Sequence, residues 1–422
     1  MQNIIHEKIR VDIPFRPAEE QLPNGVRLVS LPMPREQLLR LDICFRGGIS
    51  VEDLPMQAHF AISQNGGSRQ YPPAVVSEKL DFCGAEVTTL ATAFYTRMQL
   101  VCLPRLLPRL LPVLLSILDD PTYGQVRLRQ AVATAHTSWL ISRQRVEKVA
   151  KEKLNELIFP PSHPLSRNVQ ESDFQLITPV LLRNYQQKFM HAGEAVIFLT
   201  GKTEEDTLPR LRETLGEQPW GGRDPAIVEL PPMPQAPYQR GVHHYAMPQS
   251  TVQSALRMGF LLLPPKHPDM PALRLANTLL GGFFGSRLMS NLREERGFTY
   301  DIHSRISHCP GGDILTISTE VNKETTEEAC RQVEHELMLL GDTAAGEEEL
   351  EKVKNYLCGR ACRRYEERID FANVLVSLHF AGRTIDDLLR DHQSLLQCTP
   401  EEVRKVANKY LNPNDAAIAV VG

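Results

Sequence analysis

The sequence lacks the features that mark nucleic-acid-binding, membrane-spanning and secreted proteins. Its 47 Lys and Arg are outnumbered by 51 Asp and Glu, and the formal net charge of -4 argues against an electrostatic nucleic-acid surface. The longest apolar stretch, Val101–Leu118, is interrupted by prolines and arginines, which predicts a buried helix and no membrane span. The N-terminus has no positive segment followed by an apolar one. We therefore predict a cytoplasmic location.

Two kinds of local site are also missing. The 8 cysteines are scattered along the chain, which favours reduced thiols. Cys358 and Cys362 lie one helical turn apart without a second Cys or His pair, so we interpret them as structural thiols. The glycine-rich stretch Leu279–Leu292 contains neither G-K-[ST] nor G-x-G-x-x-G and predicts no phosphate-binding loop.

The composition is that of a globular protein, with 42% apolar and 23% charged residues in a chain of 422. Alternating apolar and polar residues and short apolar runs predict strands at Asn24–Pro34, Gln37–Phe45, Glu86–Thr92, Phe94–Cys102 and Ala195–Thr200. Helical spacing predicts helices over Pro55–Gln64, Pro73–Cys83, Leu106–Leu118, Gln125–Ile158, Pro179–Phe189 and Glu204–Leu215.

The chain repeats itself on either side of a proline-rich segment. The pattern of helix, turn and apolar strand from Thr178 to Gly201 recurs from Thr399 to Gly422, at a constant offset of 221 positions. A repeat of this length indicates two homologous domains. We predict domains at residues 1–217 and 240–422 joined by an extended linker at 218–239. Each domain is predicted to be α+β, with a largely antiparallel sheet packed with helices.

One short helix carries a single histidine in a metal-site context. In the stretch Met56–Gly67, His59 is followed by Ile62 and Ser63 at i+3 and i+4. Two histidines at i and i+4 with a glutamate between them form a zinc and general-base arrangement. Here only the first histidine is present, so an ordinary packed histidine is the simpler interpretation.

Several motifs, in order, resemble the pitrilysin/insulinase/mitochondrial processing peptidase family of zinc peptidases. They are GG-x-x-x-SRL at Gly281–Leu288, LREERG-x-x-Y at Leu292–Tyr300 and HPLSR at His163–Arg167, together with the repeat and the linker. The resemblance covers essentially the whole chain. It implies an α/β roll repeated twice.

The resemblance also implies that the zinc site is degenerate. Active members carry H-x-x-E-H and a glutamate ligand about 75 residues later. His59 matches the first ligand, the general base falls at Ile62, the second ligand falls at Ser63 and the third falls near Ser138. No acidic residue occurs from 131 to 144, and His136 points to another helical face. We expect no metal on this chain.

The resemblance implies that the other half of the family's site is retained. In these peptidases an arginine and a tyrosine seven residues apart hold substrate and stabilise the oxyanion, and Arg293 and Tyr300 match them. A local alternative is that Arg293 pairs with Glu294 or Glu295 while Tyr300 lies in the core. The strand region Cys83–Thr92 departs from the family's substrate-binding edge strand, so we predict no peptide binding there.

These features lead to one main hypothesis and two alternatives. The main one is a non-catalytic, zinc-less subunit of a heterodimeric metalloendopeptidase, inactive alone, whose partner supplies H-x-x-E-H and the zinc. Arg293 and Tyr300 would then contribute to hydrolysis of a peptide substrate, and the isolated chain could form a homodimer. The first alternative is a structural or binding scaffold protein of the same family. The second is a self-sufficient metallopeptidase with unusual ligands.

Overall fold

The computed structural model describes residues 11–13, 15–63, 66–229, 232–309, 311–366 and 371–422. The first ten residues, on which the prediction about secretion depends, lie outside this part of the chain. So does Gln64, the last residue of the predicted histidine helix.

The first half is built around a six-stranded sheet with the order β1-β2-β6-β3-β5-β4. All neighbouring strands are antiparallel except β2 and β6. Helices cover both faces, so the central strand β3 is buried at every position except its last. The strands are β1 (Ala18–Gln21), β2 (Arg27–Pro32), β3 (Leu39–Arg46), β4 (Glu86–Ala91), β5 (Tyr95–Cys102) and β6 (Ala195–Gly201).

The helices of the first half follow the predicted pattern with two exceptions, of which the first is the short helix at Asp173–Leu176, which was not predicted. The predicted helix Gln125–Ile158 is two helices, broken between Ser142 and Val146, because its two parts bury apolar residues against different cores. The helices are α1 (Gln57–Ser63), α2 (Pro73–Cys83), α3 (Leu107–Asp119), α4 (Gln125–Ser142), α5 (Val146–Ile158), α6 (Asp173–Leu176), α7 (Pro179–Phe189) and α8 (Thr207–Gly216).

The second half contains a five-stranded sheet with the order β7-β11-β8-β10-β9. This order and its strand directions match those of β2-β6-β3-β5-β4, including one parallel pair, β7 with β11. The predicted α+β class is confirmed. The strands are β7 (Gly241–Tyr245), β8 (Gln253–Leu261), β9 (Ile302–Ser307), β10 (Ile314–Asn322) and β11 (Ala417–Val421).

The helices of the second half include two π-helical segments. Helix α9 continues directly into the π-helical turn Thr278–Gly282, and a second π-helix spans Met289–Glu295. Such segments are rare and occur frequently at functional sites. The α-helices are α9 (Met270–Asn277), α10 (Thr326–Asp342), α11 (Glu347–Glu366), α12 (Phe371–Phe380), α13 (Ile385–Gln397) and α14 (Pro400–Tyr410).

The two halves exchange helices across their inner sheet faces. Helix α5 of the first half packs on β8 and β11, where Leu154 and Ile158 meet Ala417 and Ala419. Helix α12 of the second half packs on the first sheet, in a core cluster that includes Phe371. The halves are therefore held together by apolar packing on both sheets.

The segment between the halves has no helix or strand in its described part. It is attached to the first half by Trp220, which is buried and donates its indole N–H to the carbonyl of Leu215 at 2.8 Å. It reaches the second half past α5, where the N–H of Gln239 bonds to the carbonyl of Leu157 at 2.8 Å. The predicted domain boundaries stay predictions.

No helix in the described ranges is long and apolar enough to cross a membrane. Most of the apolar stretch predicted to be a buried helix forms α3, whose Leu107, Leu110 and Leu114 lie in the first core.

Candidate functional site

Helix α1 places the predicted first zinc ligand on its outer side. Ala58, Phe60, Ala61 and Ile62 are buried in the first core, which turns His59 outward. The His59 ring meets the edge of the Phe60 ring at a centroid distance of 5.5 Å. Neighbouring atoms exclude part of the surrounding water and lower the pKa of His59 from its ordinary value of 6.5. The imidazole is therefore neutral near pH 7.

The predicted position of the general base is occupied by core hydrocarbon. Ile62 is 1% exposed and borders a cavity of about 190 Å³ that Ser63 also lines. A carboxylate here would lose its hydration among apolar side chains. Most of the other residues around the cavity are apolar: Val76, Leu80, Val87, Met98, Leu110, Val113, Leu114 and Ile117.

The third-ligand position does not supply a donor set for zinc either. Ser138 is exposed on α4. The neighbouring His136 lies 3.3 Å from a carboxylate oxygen of Glu171 and packs on Phe174. In the described part of the chain, no group of three His, Cys, Asp or Glu is placed to hold a metal ion. The predicted positions offer the imidazole of His59, the alkyl group of Ile62 and the hydroxyls of two serines. This set does not fit a catalytic zinc site.

The structure brings Arg293 and Tyr300 together. The Arg293 guanidinium lies 5.1 Å from the centre of the Tyr300 ring and 4.8 Å from the centre of the Phe284 ring. It thus lies over both aromatic rings, a favourable cation–π arrangement. Tyr300 is 86% exposed and Phe284 is 65% exposed, so the whole assembly lies at the surface.

Local chain geometry creates this assembly. Arg293 is part of the π-helix Met289–Glu295, which buried Met289 and Leu292 anchor in the second core. Gly297 follows with φ +64°, a left-handed conformation that glycine adopts readily. The N–H of Phe298 then bonds back to the carbonyl of Leu292 at 2.8 Å. The reversal returns Tyr300 over Arg293.

The structure does not contain the local alternative, in which Arg293 forms an ion pair with a neighbouring glutamate and Tyr300 lies in the core. Arg293 forms no ion pair within the described residues, and Glu294 and Glu295 are exposed beside it. Tyr300 is exposed and is not part of the core. The sequence interpretation missed Phe284, although it lies inside the GG-x-x-x-SRL motif. The signal available in the sequence was an aromatic residue placed among glycines.

A cleft of about 1120 Å³ lies between the two halves. As far as the described residues define it, none of His59, Ile62, Ser63, Ser138, Arg293 and Tyr300 lines it. The structure thus separates three features: the histidine helix, the arginine and tyrosine assembly, and the cleft.

The structure thus has two α+β units and a helix that resembles the zinc helix of a peptidase without its full set of ligands. These features define a class, that of zinc-peptidase-like proteins. Residues 177–357 match the family model described as peptidase M16 inactive domain. This match covers less than half of the chain, and it confirms the resemblance inferred from the motifs. The match begins in the first half, crosses the linker and covers much of the second half.

Known proteins similar to this chain extend over nearly its whole length. It is 22% identical over 396 residues to the "Non-peptidase homolog YmxG" of Helicobacter pylori, covering 90% of this chain and 88% of that one. It is similar to the crystal structure of a peptidase M16 inactive domain from Pseudomonas fluorescens, with TM-score 0.85, 21% identity and coverage of 97% and 98%. A protease structure from Helicobacter pylori gives TM-score 0.84, 16% identity and coverage of 96% and 99%.

Proposed function

We propose that the chain is the zinc-less subunit of a two-subunit peptidase and that Arg293 and Tyr300 act at a zinc held by its partner. The observation that carries the proposal is the surface position of Arg293 and Tyr300 beside each other. An arginine with no carboxylate partner in the described residues is available to an anionic transition state. The degenerate helix α1 is the reason that a partner is needed.

The chemistry assigned to this chain is oxyanion stabilisation and substrate positioning. The guanidinium supplies a fixed positive charge with several donors, and the phenol supplies one donor. Contacts with the rings of Phe284 and Tyr300 restrain the guanidinium, which reduces the reorganisation that would otherwise accompany the reaction. The zinc and the general base belong to the partner's H-x-x-E-H motif, and no zinc is bound by this chain.

The repeated strand order of the two sheets supports a further part of the proposal. We infer that the chain arose by internal duplication, with one half losing the metal helix's ligands. In this view the first half keeps the peptidase fold for packing and the second half keeps the exposed residues.

The test is reconstitution of the chain with an H-x-x-E-H partner, ideally one encoded beside it. We expect chelator-sensitive peptidase activity only in the mixture. Arg293→Ala should lower kcat about 100-fold, because removing one oxyanion donor typically costs 10²–10³ in rate. Tyr300→Phe keeps the ring over Arg293 and removes only the hydroxyl, so its effect isolates the donor.

Arg296→Ala is the matched control. Arg296 lies on the same segment, but its guanidinium bonds to Asn291 at 2.8 Å and packs near Phe298. Its variant should keep most of the activity. Size-exclusion chromatography must show that every variant still forms the complex. Unchanged peptidase rates in Arg293→Ala and Tyr300→Phe complexes would rule out the shared site.

A scaffold role is the second candidate, favoured by one observation. The exposed aromatic rings of Phe284 and Tyr300 form a surface that a binding partner could cover without any chemistry. If both proteins associate but Arg293→Ala leaves the partner's activity intact, the scaffold role is the correct one. Stoichiometric zinc in the purified chain alone would instead support a self-sufficient peptidase.

A further inference from the structure

The cleft between the halves is strongly positive although the chain as a whole is negative. The formal net charge of the chain is -4. Among the described residues, the cleft is lined by nine Lys and Arg but by two carboxylates, Glu147 and Asp313. The nine cations are Arg145, Lys148, Lys151, Arg257, Arg274, Arg305, Arg360, Arg364 and Arg383.

Some of these cations have carboxylate partners and others do not. Ion pairs join Arg145 to Glu147, Lys148 to Glu152, Arg257 to Glu320, and both Arg274 and Arg383 to Asp391. The other four have no ion pair with another described residue: Lys151, Arg305, Arg360 and Arg364. They come from α5, β9 and α11, so both halves contribute.

Lys151 and Arg305 lie close to each other across the boundary between the halves. Burial lowers the pKa of Lys151 from 10.5, and the positive charges of Lys148, Arg305 and Arg257 lower it further, with only Glu152 opposing. Like charges held near one another in a cleft repel, and this repulsion would be relieved by an anion bound between them.

Strand β9 lines the cleft and lies at an edge of its sheet. It is the last strand of its sheet and pairs only with β10 among the described residues. His303, Arg305 and Ser307 line the cleft, whereas the alternating residues Ile302 and Ser304 are buried. An edge strand of this kind can accept an added strand through its free N–H and C=O groups.

We propose that this cleft binds an acidic peptide segment, added as a strand beside β9 with its carboxylates at Lys151, Arg305 and Arg360. A peptide satisfies both the unpaired edge and the cations. Apolar residues around the cleft, including Phe94, Phe159, Leu165 and Phe380, accommodate the side chains between the carboxylates. β9 has 6 residues, so an added strand of that length would span about 20 Å at 3.3–3.4 Å per residue.

A peptide accounts for the geometry better than a nucleic acid or a free phosphate does. A single phosphate would leave the edge of β9 without a main-chain partner, whereas an added peptide strand pairs with it. The net charge of the chain argues against extended phosphate contacts. The proposal goes beyond the shared zinc site, and it can hold or fail without any peptidase partner.

The experiment measures fluorescence anisotropy of the full chain with a labelled octapeptide of alternating glutamate and leucine. A second peptide replaces each glutamate with glutamine. We expect at least tenfold tighter binding of the glutamate peptide and weaker binding as salt increases. Methylating alternate peptide nitrogens, which removes strand hydrogen bonds, should also weaken binding at least tenfold.

Two matched sets of variants locate the site. The double variant Lys151→Gln, Arg305→Gln should weaken binding about tenfold, since each exposed charge pair contributes modestly. The double variant Arg363→Gln, Lys405→Gln changes net charge equally but lies outside the cleft lining, and it should bind like the parent. On α11 alone, Arg360→Gln should weaken binding whereas Arg363→Gln should not.

Each of several results would overturn the proposal. These are equal affinities for the two peptides, equal losses in the two double variants, or no effect of methylated peptide nitrogens. Tripolyphosphate or a thymidine oligonucleotide binding more tightly than the peptide, with the same variant pattern, would assign the cleft to phosphate ligands instead. Circular dichroism must show that each variant remains folded, and the exposed single Arg360→Gln provides a reading if the double variant does not.

Discussion

The two halves share a strand order, but the segments that connect corresponding strands differ: one is buried and the other is exposed. Between β3 and β4, helix α1 turns Ile62 into the first core and retains no acidic residue at the zinc positions. Between β8 and β9, the chain instead presents Arg293 and Tyr300 at the surface. Ile62, at the predicted general-base position of the first half, contributes to packing, whereas Arg293 and Tyr300 of the second half contribute little to it. Stability and activity should therefore respond to different substitutions.

The inner sheet faces differ in the same way. On the first sheet Asp42 is fully buried and pairs with Arg40 at 2.7 Å and with Arg97 at 3.6 Å. Both arginines also donate to the side chain of Asn373 on α12. On the second sheet the inner face is open enough to form the positive cleft. The charge cluster on the first sheet is thus buried and has ion-pair and hydrogen-bond partners. The cations on the second sheet line an open cleft, and several have no ion pair with another described residue.

The largest expected effect is at the closed cluster. Asp42→Ala removes a fully buried carboxylate that both Arg40 and Arg97 contact, and breaking such a buried pair typically costs 3–5 kcal/mol. The corresponding pair of the second sheet, Arg257 and Glu320, includes a carboxylate that is 37% exposed. Glu320→Ala should cost about 1 kcal/mol. Urea unfolding of both variants measures the difference, and equal losses would contradict the contrast between the sheets.

A second comparison separates packing from chemistry. Ile62→Ala should lower the free energy of unfolding by about 2–4 kcal/mol, because it enlarges a cavity in the first core. It should leave the partner-dependent peptidase rate per folded molecule unchanged. Arg293→Ala should change the free energy of unfolding by less than about 1 kcal/mol, the usual range for an exposed cation–π contact. A stability loss in Arg293→Ala equal to that of Ile62→Ala would show that the arginine is structural.

Acid should loosen the helices that the second half contributes. Burial is the main cause that lowers the pKa of His379 on α12 and of His392 on α13 to about 4. The unfolded histidines titrate near 6.5, so between pH 6.5 and 4 the unfolded state binds more protons. Their stabilising effect is present above pH 6.5 and is lost as the pH falls towards 4. Each contributes at most about 3 kcal/mol.

The measurement is the free energy of unfolding in urea at pH 7 and pH 4.5. His379 packs edge-on against Phe198 of the first sheet, with ring centroids 5.9 Å apart. His379→Leu should therefore reduce the loss between the two pH values, although it lowers stability at pH 7. A parent protein that is equally stable at both pH values would contradict this assignment.

The smallest expected effect concerns the two neighbouring phenylalanines of the glycine-rich turn. Phe284→Ala removes one face of the Arg293 assembly and should change stability by under about 1 kcal/mol. Hydrogen exchange of the Arg293 Nε–H should become faster. Phe283 packs against the second core and on Tyr356, so Phe283→Ala should cost more stability and leave that exchange rate unchanged. The reverse pattern would show that Phe284 is the packing residue.

Much of the fold was predictable because apolar periodicity and burial coincide. The strand predicted at Phe94–Cys102 is β5 from Tyr95, and the helices predicted at Pro73–Cys83 and Pro179–Phe189 have those bounds. The break in Gln125–Ile158 was not predictable, because helical spacing continues through it. Only the presence of two separate cores makes the chain turn there.

The sequence by itself determined the family resemblance, the α+β class and the residue types at the predicted zinc positions, because these depend on residue identity and spacing along the chain. The tertiary structure decided where the charges meet. Lys151 and Arg305 are 154 positions apart in sequence and become neighbours only through the exchange of helices between the halves. Tyr300 stacks on Arg293 only because the π-helix and Gly297 reverse the chain. Electrostatic and stacking energies depend on distance in space, and local sequence patterns do not encode that distance.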